Sequence, residues 1–68
     1  MAKYHIQFEG RTYSTDSSEA ARRVFYAVAY FHDEAKHSPL VQYAINSQGQ
    51  KVVLDSRGLT DEGVRKFE

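Results

Sequence analysis

The sequence has no cysteine, so it can form no disulfide framework, no thiolate nucleophile and no cysteine-based zinc site. It also lacks an excess of either charge. Nine Lys and Arg balance nine Asp and Glu, which leaves no positive field to draw in a phosphate backbone and disfavours direct nucleic-acid binding. No apolar run approaches membrane-spanning length, and Met1-Ala2-Lys3-Tyr4-His5 leads straight into alternating residues without an apolar signal-peptide core. These absences give the expectation of a cytoplasmic chain with no membrane association.

The 68 residues can build one hydrophobic core, so residues 1–68 are expected to form a single compact domain. A domain of this size buries only about 60% of the surface its unfolded chain exposes, which leaves homodimerisation open.

Tyr4, Ile6 and Phe8 alternate with Lys3, His5, Gln7 and Glu9, the period-two pattern of a half-buried strand. A turn at Glu9-Gly10 sets Ile6 opposite Tyr13 and makes Arg11 to Ser14 a second strand. Asp16 is placed to cap a helix from about Ser17 to Lys36, with Glu19 in capping-box position and Ser38-Pro39 as the stop. On the helical wheel Ala20, Ala21, Val24, Ala27, Val28, Phe31 and Ala35 make the core stripe, edged by Phe25 and His32.

Val41, Tyr43 and Ile45 then alternate with Gln42, Ala44 and Asn46, and a two-residue Gln48-Gly49 turn pairs Ile45 with Val52 and Tyr43 with Leu54 on the inward face. Thr60 can cap a short last helix stapled by Leu59 and Val64, weakened by Gly63. The resulting expectation is an α+β fold in ββαββα order, with a four-stranded antiparallel sheet packed on one long helix and a short C-terminal helix.

Catalytic signals are weak. His32, Asp33, Glu34 and His37 are possible metal ligands, but the two histidines are five apart and point in different directions, so no metal is assigned. None of the serines sits in a Gly-x-Ser-x-Gly elbow, and the four glycines form no phosphate loop. No cofactor is expected, and the chain reads as a non-enzyme; a small hydrolase or metal enzyme around His32, Asp33 and His37 ranks last.

Away from the core stripe, Arg22, Arg23, Tyr26, Ala29 and Tyr30 share one side of the helix with Glu19 and Asp33. Tyr and Arg are favoured at protein interfaces because they join a large contact area to a directed polar tip. Arg22, Arg23, Tyr26 and Tyr30 are therefore the candidate protein-binding residues. Two arrangements would instead account for the rings: Arg22 stacked on Tyr26, or the C-terminal helix folded over both with Val64 and Phe67. The other sheet face, expected to carry Lys3, His5, Gln7, Thr12, Gln42, Ala44, Asn46, Lys51 and Val53, shows no aromatic for stacking a nucleic-acid base. The alternative function is a nucleic-acid-associated domain touching phosphates through Lys3, Arg11, Arg22, Arg23 and Lys51.

Gly10-Arg11-Thr12-Tyr13-Ser14 followed by Ser18-Glu19-Ala20-Ala21-Arg22 resembles the strand and helix start of many small α+β modules. The whole layout, a cysteine-free hairpin, helix and second hairpin, resembles several small phage-encoded anti-CRISPR proteins. That resemblance implies a stoichiometric blocker of a host protein partner, a nucleoprotein effector complex. The balanced charge departs from the acidic, DNA-mimicking members of that group.

Overall fold

A computed structural model describes residues 3–59 of the chain. Strands β1 (Tyr4–Phe8) and β2 (Arg11–Thr15) precede helix α1 (Ser18–Phe31), and strands β3 (Leu40–Ile45) and β4 (Lys51–Arg57) follow it. The fold is α+β: one four-stranded antiparallel sheet in the order β2-β1-β3-β4, with the helix across one face. The expected helix after Thr60, with Val64 and Phe67, lies outside the described residues.

The first hairpin forms as its sequence dictates. Glu9 and Gly10 both take positive φ, 52° and 74°, the primed two-residue turn whose twist matches the flanking strands. Ile6 consequently pairs with Tyr13, and Phe8 with Arg11. Glutamate is an uncommon residue at positive φ, and here it is clasped from a distance. Its carboxylate accepts from Ser38 N (2.8 Å) and Ser38 Oγ (3.1 Å), while its own amide donates to Ser38 Oγ (3.2 Å). The hydrogen bonds from the Ser38 amide and hydroxyl hold the Glu9 carboxyl below its ordinary pKa, with His37 and His32 adding to the effect.

The helix begins one residue later than expected and ends five residues earlier. Ser17, not Asp16, is the N-cap: its Oγ accepts from Ala20 N at 3.1 Å, and Thr15 Oγ1 in turn accepts from Ser17 N. Beyond Phe31 the chain leaves the helix at His32, long before Pro39. Asp33 explains this, because its carboxylate accepts from Ala35 N (2.9 Å) and its amide donates to His37 Nδ1 (3.0 Å), satisfying locally the groups another helical turn would have used.

The helix is also rotated from the expected phase. Phe25, expected at the edge, is fully buried, and with Ala21, Ile6 and Leu40 it forms the core centre. Tyr4, Phe8, Val24, Val28 and Ala29 pack around that centre, so Ala29 belongs to the inward side. Ala27, Phe31 and Ala35, expected inward, are exposed. Burying a side chain such as Phe25 or Leu40 stabilises by about 1.5–3 kcal/mol relative to leaving it in water. The stripe of sequence apolarity is therefore wider than the sheet beneath it.

The second hairpin departs furthest from expectation. Ile45 pairs with Lys51 and Tyr43 with Val53, and the ladder shifts between Gln42 and Tyr43, where Leu54 is the extra residue. A Gln48-Gly49 primed turn would need positive φ at Gln48, but only Gly49 (φ 78°) takes it. Residues 47–49 instead form a three-residue loop, stabilised by Asn46 Oδ1 accepting from Gln48 N and Gln50 N, both at 2.9 Å. The faces of β3 are correspondingly exchanged. Leu40 joins the helix-side core and Gln42 pairs with Ile6, whereas Tyr43 pairs with His5 on the opposite side of the sheet.

That opposite face thus carries an aromatic, contrary to expectation. Tyr43 is buried there, stacked on His5 with ring centroids 5.0 Å apart, and the Lys51 ammonium lies 5.0 Å from its ring. Gln42 and Ala44, expected on it, face the helix instead. Among the described residues no helix is long and apolar enough to cross a membrane.

Candidate protein-binding face

The helix packs chiefly on β1, flanked by β2 and β3, and reaches β4 through few groups. The guanidinium of Arg57 lies 5.4 Å from the Phe25 ring, and the Tyr26 hydroxyl approaches Asp55 Oδ2 at 3.4 Å, a long and weak hydrogen bond. Between them the inner face of β4 is left open. Tyr4, Ser18, Arg22, Tyr26, Gln42, Leu54 and Asp55 line the resulting groove of about 250 Å³.

The four sequence-predicted residues occupy the exposed surface, but in two subsets. Arg22 and Tyr26 border the groove beside β4. Arg23 and Tyr30 lie further out on the helix, where Arg23 Nη2 pairs with Glu19 Oε1 at 2.7 Å. Both partners of that pair are well solvated, so it contributes at most a few tenths of a kcal/mol. Tyr26 is 51% exposed and Tyr30 84% exposed. The Tyr26 ring sits edge-on to Phe25, and that buried ring fixes its base while the outer part of the ring meets solvent. Tyr30 meets the Phe31 ring edge-on, at 5.0 Å and 80°.

Three apolar neighbours were not anticipated. Phe31 was assigned to the core and is 76% exposed, while Leu54 and Val52 on β4 are 49% and 39% exposed. Leu54 lines the groove opposite Tyr26, and the extra residue in β4 is what sets Leu54 and Asp55 side by side there. The bulge had no sequence signal, since the continuous apolar run Val52-Val53-Leu54 fits a strand with or without an extra residue.

Asp55 organises the groove floor. Its Oδ1 accepts from Ser56 N (2.8 Å) and Arg57 Nη1 (2.9 Å), which fixes the carboxylate and leaves Oδ2 turned toward Tyr26. The groove therefore joins the apolar side chain of Leu54 to a fixed carboxylate and to Arg22 in its lining. This chemistry suits recognition of a polar side chain or a backbone amide, with apolar contact at Leu54 and the tyrosine rings.

The residues of the phosphate-contacting reading do not converge. Lys3 lies against the Tyr4 ring, Arg11 lines a cleft with Tyr13 and Val24, and Lys51 lies on the opposite sheet face. His32 and His37, expected to point in different directions, are instead brought together because the helix ends at Phe31: both flank Phe8 with ring centroids 5.7 Å from it, and their own centroids are 5.7 Å apart. A ring nitrogen of each is engaged in holding the loop, His32 Nε2 with Ser38 O (3.0 Å) and His37 Nδ1 with Asp33 N. Among the described residues, no three His, Asp or Glu side chains are grouped to hold a metal ion. No family model, curated protein or solved structure matches the chain.

Proposed function

We propose that the chain is a small cytoplasmic, non-enzymatic protein-binding module, an inhibitor of the phage or mobile-element kind that resembles anti-CRISPR proteins in layout. It blocks a host protein complex, nucleoprotein included, by occupying its surface stoichiometrically. Arg22, Arg23, Tyr26 and Tyr30 form the docking face, extended by Leu54 along the groove. The observation that supports this reading is the pair of exposed tyrosines one helical turn apart, beside an open, mixed polar and apolar groove with a fixed carboxylate. Hot spots of this type gather aromatic and arginine side chains around a small desolvated centre.

The test is a quantitative capture experiment from host lysate with wild type and the double variant Tyr26→Ala, Tyr30→Ala as baits. Both substituted rings are largely solvent-facing, so the variant is expected to keep the wild-type melting temperature within a few degrees. A partner held by wild type and lost from the variant is the expected result. Equal capture by both would move the binding surface elsewhere on the molecule. Capture that is abolished by nuclease and falls steeply with salt would instead favour the phosphate-contacting alternative.

A further inference from the structure

We infer that the chain self-associates through β2, with two copies joining their sheets edge to edge about a two-fold axis that passes beside Tyr13. This inference does not rest on the docking face above: the groove beside β4 and the cleft beside β2 share no residue, and the two surfaces touch only where Phe31 meets Tyr30.

The two edges of the sheet differ in how they are protected. β4 carries a bulge at Leu54, and a two-fold pairing centred there would set Lys51 against Arg57 of the partner subunit. Bulges and like charges at an edge are the usual means of preventing strand addition. β2 has neither. Arg11, Thr12, Tyr13, Ser14 and Thr15 pair in unbroken register with β1, contain no proline, and are exposed at every position but Thr15.

The self-pairing of β2 is chemically matched. In an antiparallel ladder, hydrogen-bonded and non-hydrogen-bonded pairs alternate. Counted from the two-residue turn, Arg11, Tyr13 and Thr15 exchange bonds with β1, so the amides and carbonyls of Thr12 and Ser14 point outward. A two-fold axis at Tyr13 sets Thr12 against the partner's Ser14 and Ser14 against the partner's Thr12. All four free donors then meet acceptors, and it is the one two-fold register that pairs all five residues. The same arrangement brings Arg11 beside the partner's Thr15 and Asp16, opposite charges at each end of the junction.

The helix supplies the rest of the surface. Its apolar stripe overhangs β2, where Val24 and Val28 line a cleft of about 320 Å³ with Tyr13, Arg11 and Phe8. Phe31 and Ala27 continue that overhang into solvent. With strands about 4.8 Å apart, helices lying over the two β1 strands would stand roughly 14 Å from one another. Direct helix contact needs 8–10 Å, so the intervening space must be filled by side chains. Tyr13 from each sheet edge, 45% exposed, and Phe31 from each helix are the large side chains directed there. Five paired residues alone fall short of the roughly 800 Å² per partner of a stable interface, and the helix flank makes up the difference.

Sedimentation and light scattering give the first readout: wild type is expected at twice the chain mass, and a single-chain mass at the highest attainable concentration would overturn the inference. Thr12→Pro removes an outward amide that makes no bond to β1, and edge strands accept proline at such a position. It is expected to give the single-chain mass with an unchanged circular dichroism spectrum, and a dimeric Thr12→Pro protein would count against β2. A third measurement does not depend on the proline variant folding. Since the chain has no native cysteine, Tyr13→Cys places one thiol per copy at the non-hydrogen-bonded centre of the proposed pair. Mild oxidation is expected to convert most of that protein to a covalent dimer, with little conversion of Leu54→Cys; the reverse pattern would place the junction at β4 and overturn the proposal.

Discussion

The two hairpins are built from the same parts, two short antiparallel strands and a glycine-containing turn, yet they are stabilised in different ways. The turn of β1 and β2 holds Glu9 at positive φ and depends on Ser38, 29 residues away, to clasp it. The loop between β3 and β4 places only Gly49 at positive φ and is held by Asn46 within the loop itself. Coverage differs in the same sense. The inner face of β1 packs beneath the helix, whereas the inner face of β4 is largely open. The turn of the first hairpin is held by a tertiary contact and that of the second by a local one, and the two leave different apolar groups open: Tyr13 at the β2 edge, and Val52 and Leu54 on β4.

The largest test of this contrast compares Ile6 with Leu54. Ile6→Ala empties a position in the covered core and is expected to cost about 2–5 kcal/mol, read by chemical denaturation. Leu54→Ala, at a half-exposed position, is expected to cost less than about 1 kcal/mol while weakening partner capture. Comparable losses in stability would mean that the groove is closed in solution. Next in size is Gly49→Ala. The added methyl meets nothing within 4 Å, so only the left-handed backbone is penalised, by about 1–2 kcal/mol.

The smallest effect concerns acid. Because the Glu9 carboxyl titrates below its ordinary value in the folded chain, its contribution is complete at neutral pH. It fades as the pH falls through the ordinary glutamate range near ~4.3 and is gone below the folded-state value. Glu9→Gln is expected to flatten this part of the stability-against-pH curve, and an unaltered acid limb would show that the clasp is not what holds the turn.

The sequence made the covered half readable and the open half much less so. The face of β1, the Glu9-Gly10 turn and the Ile6–Tyr13 pair follow from strict alternation beside a glycine that can adopt positive φ. In β3 the alternation is only partial: Val41, Tyr43 and Ile45 share one side, but Leu40 and Ala44 put apolar groups on the other, as a central strand buried on both faces requires. A loop one residue longer then reversed the faces. The helix was misphased for a related reason, since its apolar residues span more than the buried arc and Phe25 lies at their edge in sequence but at their centre in space. Arg22, Arg23, Tyr26 and Tyr30 remain exposed despite that rotation, while Leu54 was hidden by the reversed register.

The strand order has a consequence for how the chain comes off the ribosome. β1 is made first but lies inside the sheet, and its second neighbour, β3, begins 36 positions later in the chain. The hairpin and helix can assemble as they emerge, but their shared apolar face has no Leu40 to close on until β3 has been synthesised. For that interval the nascent chain presents Ile6 and Phe25 without Leu40, and the core can close only once β3 has docked.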